Sequence, residues 1–260
     1  MINRPNKSRI HLVLEYMHCG SVQGVLEAAE GRRLGQAQAR KYFGQLVMSL
    51  QHCHSRGVVH KDVKPANLML DRAGDVRLSD FGCAEELGRY DSSDACSRTL
   101  GSPAFQSPEI AQGVERFSGI AADVWAAGVT LFQMVVGRTP FDADNLPELF
   151  EKIGAAQLSL PQSLSPELRD LLGRLLCPDE KARISVEEIQ RHPWMGCTLD
   201  DGSALDDVQP KVHKPTIMDC DFDALDLYPA EVRSHTAQLS RCRNLANLPR
   251  PNFQGPEKLG

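Results

Sequence analysis

The stretch that decides the fold is His60-Lys61-Asp62-Val63-Lys64-Pro65-Ala66-Asn67, followed 18 residues after Asp62 by Asp80-Phe81-Gly82. A carboxylate, a cation two positions on, an amide three beyond that and a second carboxylate downstream are the groups that orient a hydroxyl, balance phosphate charge and hold a divalent cation through oxygen. Any one of them alone would read as loop punctuation; in this order they read as one site. Between the two motifs, Leu68–Leu70 and Val76–Leu78 flank Asp71-Arg72-Ala73-Gly74, a turn-forming tetrapeptide. That pattern predicts a small hairpin with Asp80 at its far side.

Working outward, residues 9–15 (RIHLVLE) are apolar and β-branched and predict a strand, with 16–21 as the loop that leaves it. Ala39, Phe43, Leu46, Val47, Leu50 and Cys53 recur at helical spacing over 36–56, and Gly57 supplies the stop. Beyond residue 110 helices are predicted over 122–136, 146–153 and 165–176, the last carrying the stripe Leu168, Leu171, Leu172, Leu175 and Leu176 behind Ser165-Pro166. Ser185 and Glu188 form a capping box for a final helix, with Ile184 and Ile189 as its hydrophobic staple and an end near His192 and Pro193. From residue 197 the pattern changes. Asp200, Asp201, Asp206, Asp207, Asp219, Asp221, Asp223 and Asp226 are interleaved with prolines and little periodicity, so 197–260 is expected to be an acidic tail of poor order.

The 260 residues suffice for a sizeable core, and 42% hydrophobic with 24% charged residues is globular usage. A net charge of −5 argues against a protein whose main task is gripping nucleic acid. Eight cysteines without a C-x-x-C pair suit free thiols in a reducing compartment, and the expected location is the cytoplasm, with the nucleus as a second compartment. Glu15 interrupts the N-terminal apolar run, which therefore does not read as a signal peptide. The apolar stretch 121–137 contains Asp123 and Gln133 and is too short to cross a bilayer comfortably, so no membrane span is expected. His52 and His54 flank Cys53 on one helix without a second pair of ligands and are given no metal. Trp125, Phe81 and His60 read as packing residues that position chemistry without performing it.

Further markers follow in order: Ser107-Pro108-Glu109, then Asp123-Val124-Trp125-Ala126-Ala127-Gly128, then Arg183 before the last helix. With these, the chain resembles the C-terminal lobe of a eukaryotic protein kinase over about three quarters of its length. The implied fold is α+β: a mainly helical C-lobe over 21–196, a short hinge strand and hinge within 1–20, the small hairpin, and an N-lobe that is largely missing. The resemblance implies Asp62 and Lys64 as catalytic groups, Asn67 and Asp80 as ligands of Mg2+ (Mn2+ being the alternative), and ATP as the phosphate donor. It places adenine at the Glu15 carbonyl and Met17 amide, Leu14 as gatekeeper, Met69 as pocket floor and Ser21 at the ribose. Ser102 would lie near Asp62 and Lys64 in the substrate loop. Support would come from His60, Phe81, a buried Glu109–Arg183 salt bridge and Asp123 beneath the catalytic loop.

Lys64 with Gly101-Ser102-Pro103 is the serine/threonine rather than the tyrosine pattern of that family. HKD, GSPAFQSPEIAQG at 101–113 and the long string at 117–154 look most like the liver kinase B family, upstream activators of AMP-activated protein kinase-type kinases. Calcium/calmodulin-dependent kinase kinases share the SPAF-like stretch and are the nearest alternative. Implied partners are proteins bearing Ser or Thr, a pseudokinase adaptor and a helical-repeat scaffold. Ser92, Ser93, Ser97 and Thr99 are candidate phosphorylation sites. The family also uses a glycine-rich loop, a strand Lys and a helix Glu, and no G-x-G-x-x-G occurs in the sequence. Residues 1–260 alone are therefore expected to be inactive. A non-catalytic lobe that binds partners is the reading from a different class.

Overall fold

The computed structural model describes residues 14–87, 94–96 and 101–196. The expected tail at 197–260, residues 9–13 of the expected strand, and Ser92, Ser93, Ser97 and Thr99 lie outside the described residues. Leu14 and Glu15, the end of that expected strand, are not in a strand, and Leu14 is 81% exposed.

The described architecture is mainly helical. Helix α1 (Val22–Ala28) opens the described helices, with Ser21 accepting from the Gly24 amide at its start. Its apolar residues Val22, Val25 and Leu26 are buried, but seven residues are too few for periodicity to announce a helix. Helix α2 (Gln36–His54) buries the six predicted positions and Tyr42 besides. It ends two residues before the predicted end at 56, because Ser55, Arg56 and Gly57 (φ 70°) form the closing turn.

Strand β1 (Val58–Val59) then leads into the 60–67 motif. The predicted hairpin is β2 (Leu68–Leu70) and β3 (Val76–Leu78), paired antiparallel with Leu68 opposite Leu78 and Leu70 opposite Val76. Asp71 closes its turn by accepting from the Ala73 and Asp75 amides. Two further short pairs bracket the segment after Asp80. Strand β4 (Glu85–Glu86) pairs with β1, and β5 (Ala95–Cys96) pairs with β6 (Phe117–Ser118), all antiparallel.

Helix α3 (Pro108–Ala111) precedes β6, and helix α4 (Gly119–Val136) runs through the core. Ser118 caps α4 by accepting from the Ala121 amide, and it donates to Asp94 beside β5. By length and composition alone α4 could cross a membrane, with a mean hydropathy of 1.5, yet 78% of it is buried inside the fold against protein neighbours. Helices α5 (Leu146–Ala155), α6 (Pro166–Leu175), α7 (Val186–Arg191) and α8 (Pro193–Gly196) complete the described chain. Their starts follow the capping logic of the sequence: Asn145, Ser165 and Ser185 each accept from an amide three residues on, and Glu188 returns a bond to the Ser185 amide. The last predicted helix breaks at His192, where Pro193 starts α8.

One large apolar cluster joins α1, α2, the hairpin, α4, α6 and α7. Each large side chain it buries contributes about 1.5–3 kcal/mol. Helices α4 and α6 approach so closely that a Cβ on Gly128 would lie 2.8 Å from Leu175 Cβ. The rigid body so formed carries the 60–67 motif and the hairpin on one side.

Candidate active site

Asp62 stands at the centre of a convergent polar set. Its Oδ2 accepts from Lys64 Nζ at 2.7 Å and from Asn67 Nδ2 at 3.0 Å, while Oδ1 accepts from the Ser102 amide at 2.9 Å. Lys64 Nζ also donates to Ser102 Oγ at 2.8 Å, which ties the 60–67 segment to the 101–103 segment. Burial pushes the Asp62 carboxyl up, but the bonds from Lys64, Ser102 and Asn67 more than offset it and hold the group below the usual carboxylate value. The carboxylate is thus ionised and fixed in orientation.

Asn67 sits at the end of a short helical turn, Pro65–Asn67, that feeds β2. Its amide nitrogen donates to the Asp62 carbonyl as well as to the side chain, leaving its amide oxygen without a hydrogen bond among the described residues. Across the hairpin, Ser79 donates from both its amide and its hydroxyl to the Asn67 carbonyl, and Asp80 comes next in the chain. Asp80 is exposed, in left-handed backbone (φ 63°), with Oδ1 accepting from the Gly82 amide. A free amide oxygen and an exposed carboxylate at one end of a hairpin suit a hard divalent cation, so Asn67 and Asp80 fit Mg2+ by donor type.

Beneath the loop, Asp123 of α4 is buried and fully engaged. Oδ1 accepts from the Lys61 amide at 2.7 Å, and Oδ2 from the His60 amide and from His54 Nε2, both at 2.8 Å. His60 is buried, with Nε2 facing the Ser79 carbonyl and Nδ1 accepting from the Asp62 amide, which assigns the proton to Nε2. Lys61 takes a left-handed conformation (φ 66°), which costs a side-chain-bearing residue about 1–2 kcal/mol. Its carbonyl lies against Gly101 (φ 106°), where a Cβ would come within 2.3 Å, so only glycine serves there. Farther out, Arg183 makes a two-pronged bond to Glu109 at 2.8 and 3.0 Å, donates to the Ala121 and Cys177 carbonyls, and lies over the Trp125 ring.

Just before α1, Cys19 donates to the Leu70 carbonyl, Leu70 donates back to the Gly20 carbonyl, and Ser21 bridges to Met69. These bonds bring Ser21 and Met69 together beside β2, whereas Leu14 and Glu15 stand exposed. Ser21 Oγ accepts at the α1 cap and keeps its O–H to donate. Phe81 departs from the packing role read from the sequence: it is 47% exposed, with an edge contact on the His60 ring, because it also borders an open hollow.

The protein kinase domain family matches residues 3–195. The chain belongs to the protein kinase family. It is similar to serine/threonine-protein kinase STK11 of Gallus gallus and of Homo sapiens, each 43% identical over 188 residues, which is 72% of this chain and 42% and 43% of theirs. CBL-interacting protein kinase 2 of Oryza sativa subsp. japonica is 36% identical over 223 residues, 86% of this chain and 49% of the relative. The chain thus spans less than half the length of these relatives.

Three members of this kinase site escaped sequence reading. His54, weighed only as a metal ligand, instead bonds Asp123, and its position on the last turn of α2 was the available signal. Gly101 was noted for its motif and not for the contact that requires it. Glu85 gave no signal at all, because its position depends on the β1–β4 pairing, between two strands of two residues each.

Proposed function

We propose that the chain carries the catalytic lobe of a serine/threonine protein kinase of the liver kinase B type, acting on other kinases and working with a pseudokinase adaptor and a helical-repeat scaffold. The observation that carries this reading is the convergence of Lys64, Asn67 and Ser102 on Asp62. Asp62 orients a substrate Ser or Thr hydroxyl and accepts its proton as the oxygen attacks the γ-phosphate of ATP. Lys64, held between Asp62 and Ser102, balances charge on the transferred group. When bound, Mg2+ at Asn67 and Asp80 would neutralise the phosphate oxygens. Ser102, bonded to both catalytic groups, couples the segment that receives substrate to the segment that performs transfer. Glu15, Met17, Leu14, Met69 and Ser21 form the adenine and ribose side.

The other wall of the nucleotide site, a glycine-rich loop with a strand Lys, is not in this sequence, and residues 1–260 alone are inactive in this reading. The test is a fusion that places the segment of Homo sapiens STK11 preceding the matched region ahead of this chain. Radiolabelled γ-phosphate should reach Ser and Thr peptides and not Tyr peptides, and Asp62→Ala should abolish it. Transfer that survives Asp62→Ala, or that prefers Tyr, overturns the reading. A folded fusion with no transfer at all makes the lobe a non-catalytic binding module.

A further inference from the structure

Ser107 directly precedes α3 but does not cap it: unlike the serines before α1, α4, α6 and α7, it accepts from no amide of its helix. Its side chain is wholly buried, and its Oγ has no hydrogen-bond partner among the described residues. A hydroxyl withdrawn from bulk water without a partner is costly, and the cost is avoided where a single water can reach it. Ser107 lines a cavity of about 20 Å³ between the 101–107 segment, the start of the 60–67 loop and α4. Phe105, Ile110 and Ala126 supply apolar wall, while Lys61 and Asp123 bring polar groups. The Lys61 ammonium is committed to Glu85 at 2.8 Å and its amide to Asp123, so its carbonyl is the group left to accept. The Asp123 carboxylate has about four acceptor sites. The Lys61 amide, the His60 amide and His54 fill three of them, and one remains.

We propose that this cavity is a binding site for one ordered water, which accepts from the Ser107 hydroxyl and donates to the Asp123 carboxylate and the Lys61 carbonyl. A single water needs about 10–15 Å³ and two to four polar partners, so the cavity is large enough for one water and too small for a larger ligand. Cavities that stay dry are lined by apolar groups, whereas this one holds a buried hydroxyl that nothing else satisfies. The water ties the end of the 101–107 segment to the carboxylate that already holds the His60 and Lys61 amides. Ser102 fixes the start of the same segment on Asp62 and Lys64, so the segment is held at both ends. Ser107 is a positioning residue, acting through the water. The water site stands without the phosphoryl-transfer reading; that the segment it steadies receives substrate rests on that reading.

The experiment uses the full chain and the fusion. In the full chain, Ser107→Ala should lower the thermal unfolding midpoint by about 2–4 °C, since a bond to the water is lost and no helix cap is lost with it. Were the hydroxyl without a partner, the same change would remove a buried cost and raise the midpoint. An unchanged or raised midpoint therefore overturns the proposal. Oxygen-17 relaxation dispersion counts the waters held inside a protein for longer than its tumbling time. Ser107→Val fills the cavity with methyl groups and should hold one such water fewer than the wild type; an equal count overturns the site. Should Ser107→Val fail to fold, a crystal structure of the wild-type chain decides, with a water oxygen expected about 2.5–3.0 Å from Ser107 Oγ and its absence overturning the site. In the fusion, Ser107→Ala should raise the KM for a Ser/Thr peptide by about three- to tenfold, with kcat and the KM for ATP nearly unchanged. A wild-type peptide KM in that variant removes Ser107 from its positioning role. Should the wild-type fusion transfer nothing, the kinase reading falls, while the midpoint and the water count still decide the site.

Discussion

Burial and hydrogen bonding pull the Asp62 carboxyl in opposite directions, and the bonds from Lys64, Ser102 and Asn67 prevail. Its pKa in the folded chain is therefore below its unfolded value of about 3.9, and the sign of the pH dependence follows. The pairing stabilises the fold fully above that unfolded value and the contribution is lost as pH falls through the lower folded value. Acid titration of unfolding should show Asp62→Asn losing less stability than the wild type as pH drops through this window; an equal loss would show that the pairing carries no such linkage. In the fusion the same substitution keeps the shape and removes the proton acceptor, so transfer should fall by more than about a hundredfold. An activity within a few-fold of wild type would remove Asp62 from its role. Asp62, Lys64 and Asn67 were legible in the sequence because their spacing is fixed by chemistry within a single short loop, and Ser102 through the motif around it. His54 and Glu85 were not, since each meets its partner only after helices and strands far apart in the chain have docked.

Among the elements, the hairpin was legible from its turn tetrapeptide, and helices α2, α4, α5, α6 and α7 because each carries either a long apolar stripe or a side-chain cap. Helix α1 and the two-residue strands were not, since a turn or two of helix and a single ladder rung leave no period in the sequence. What decides their formation is the surrounding core. The α4–α6 crossing makes this measurable. Gly128→Ala adds a methyl group 2.8 Å from Leu175 Cβ, which cannot swing aside as a side-chain tip could, so a loss of about 1–3 kcal/mol is expected by urea unfolding. An unchanged midpoint would mean that the helices separate freely. The Glu109–Arg183 bond joins α3 to the start of α7 in the same way. Glu109→Ala leaves a wholly buried guanidinium without its counter-charge, and about 3–5 kcal/mol should be lost by the same measurement. A loss under 1 kcal/mol would show that the carbonyls of Ala121 and Cys177 suffice for Arg183.

For the molecule as a whole, the described body is well packed around α4 and open where α2 meets the hairpin. Leu14 at 81%, Met48 at 65% and Phe81 at 47% are large apolar side chains in water, and Met48 and Phe81 line one open hollow of about 480 Å³ with Leu78 and Val76. Grouped exposure of this kind marks a surface that a partner or another part of a protein covers. On the nucleotide side, Met69 and the hinge offer one wall, and Asn67 and Asp80 offer oxygens for a metal. Nothing in the sequence supplies the G-x-G-x-x-G amides that would neutralise a triphosphate from above. A polyanion held on one side only keeps most of its hydration and gains little from the protein. Residues 1–260 should therefore bind MgATP far more weakly than micromolar by calorimetry and transfer no measurable phosphate to a protein substrate. They should also bind a hydrophobic dye at the Met48–Phe81 hollow, and Phe81→Ser or Met48→Ser should reduce that signal without unfolding the chain. The fusion should reverse both properties together, gaining nucleotide affinity as the dye signal disappears, because one added lobe covers the hollow and completes the phosphate site. Micromolar MgATP affinity in the chain alone would show that the single wall suffices. Gain of affinity in the fusion with the hollow still open to dye would separate the two surfaces.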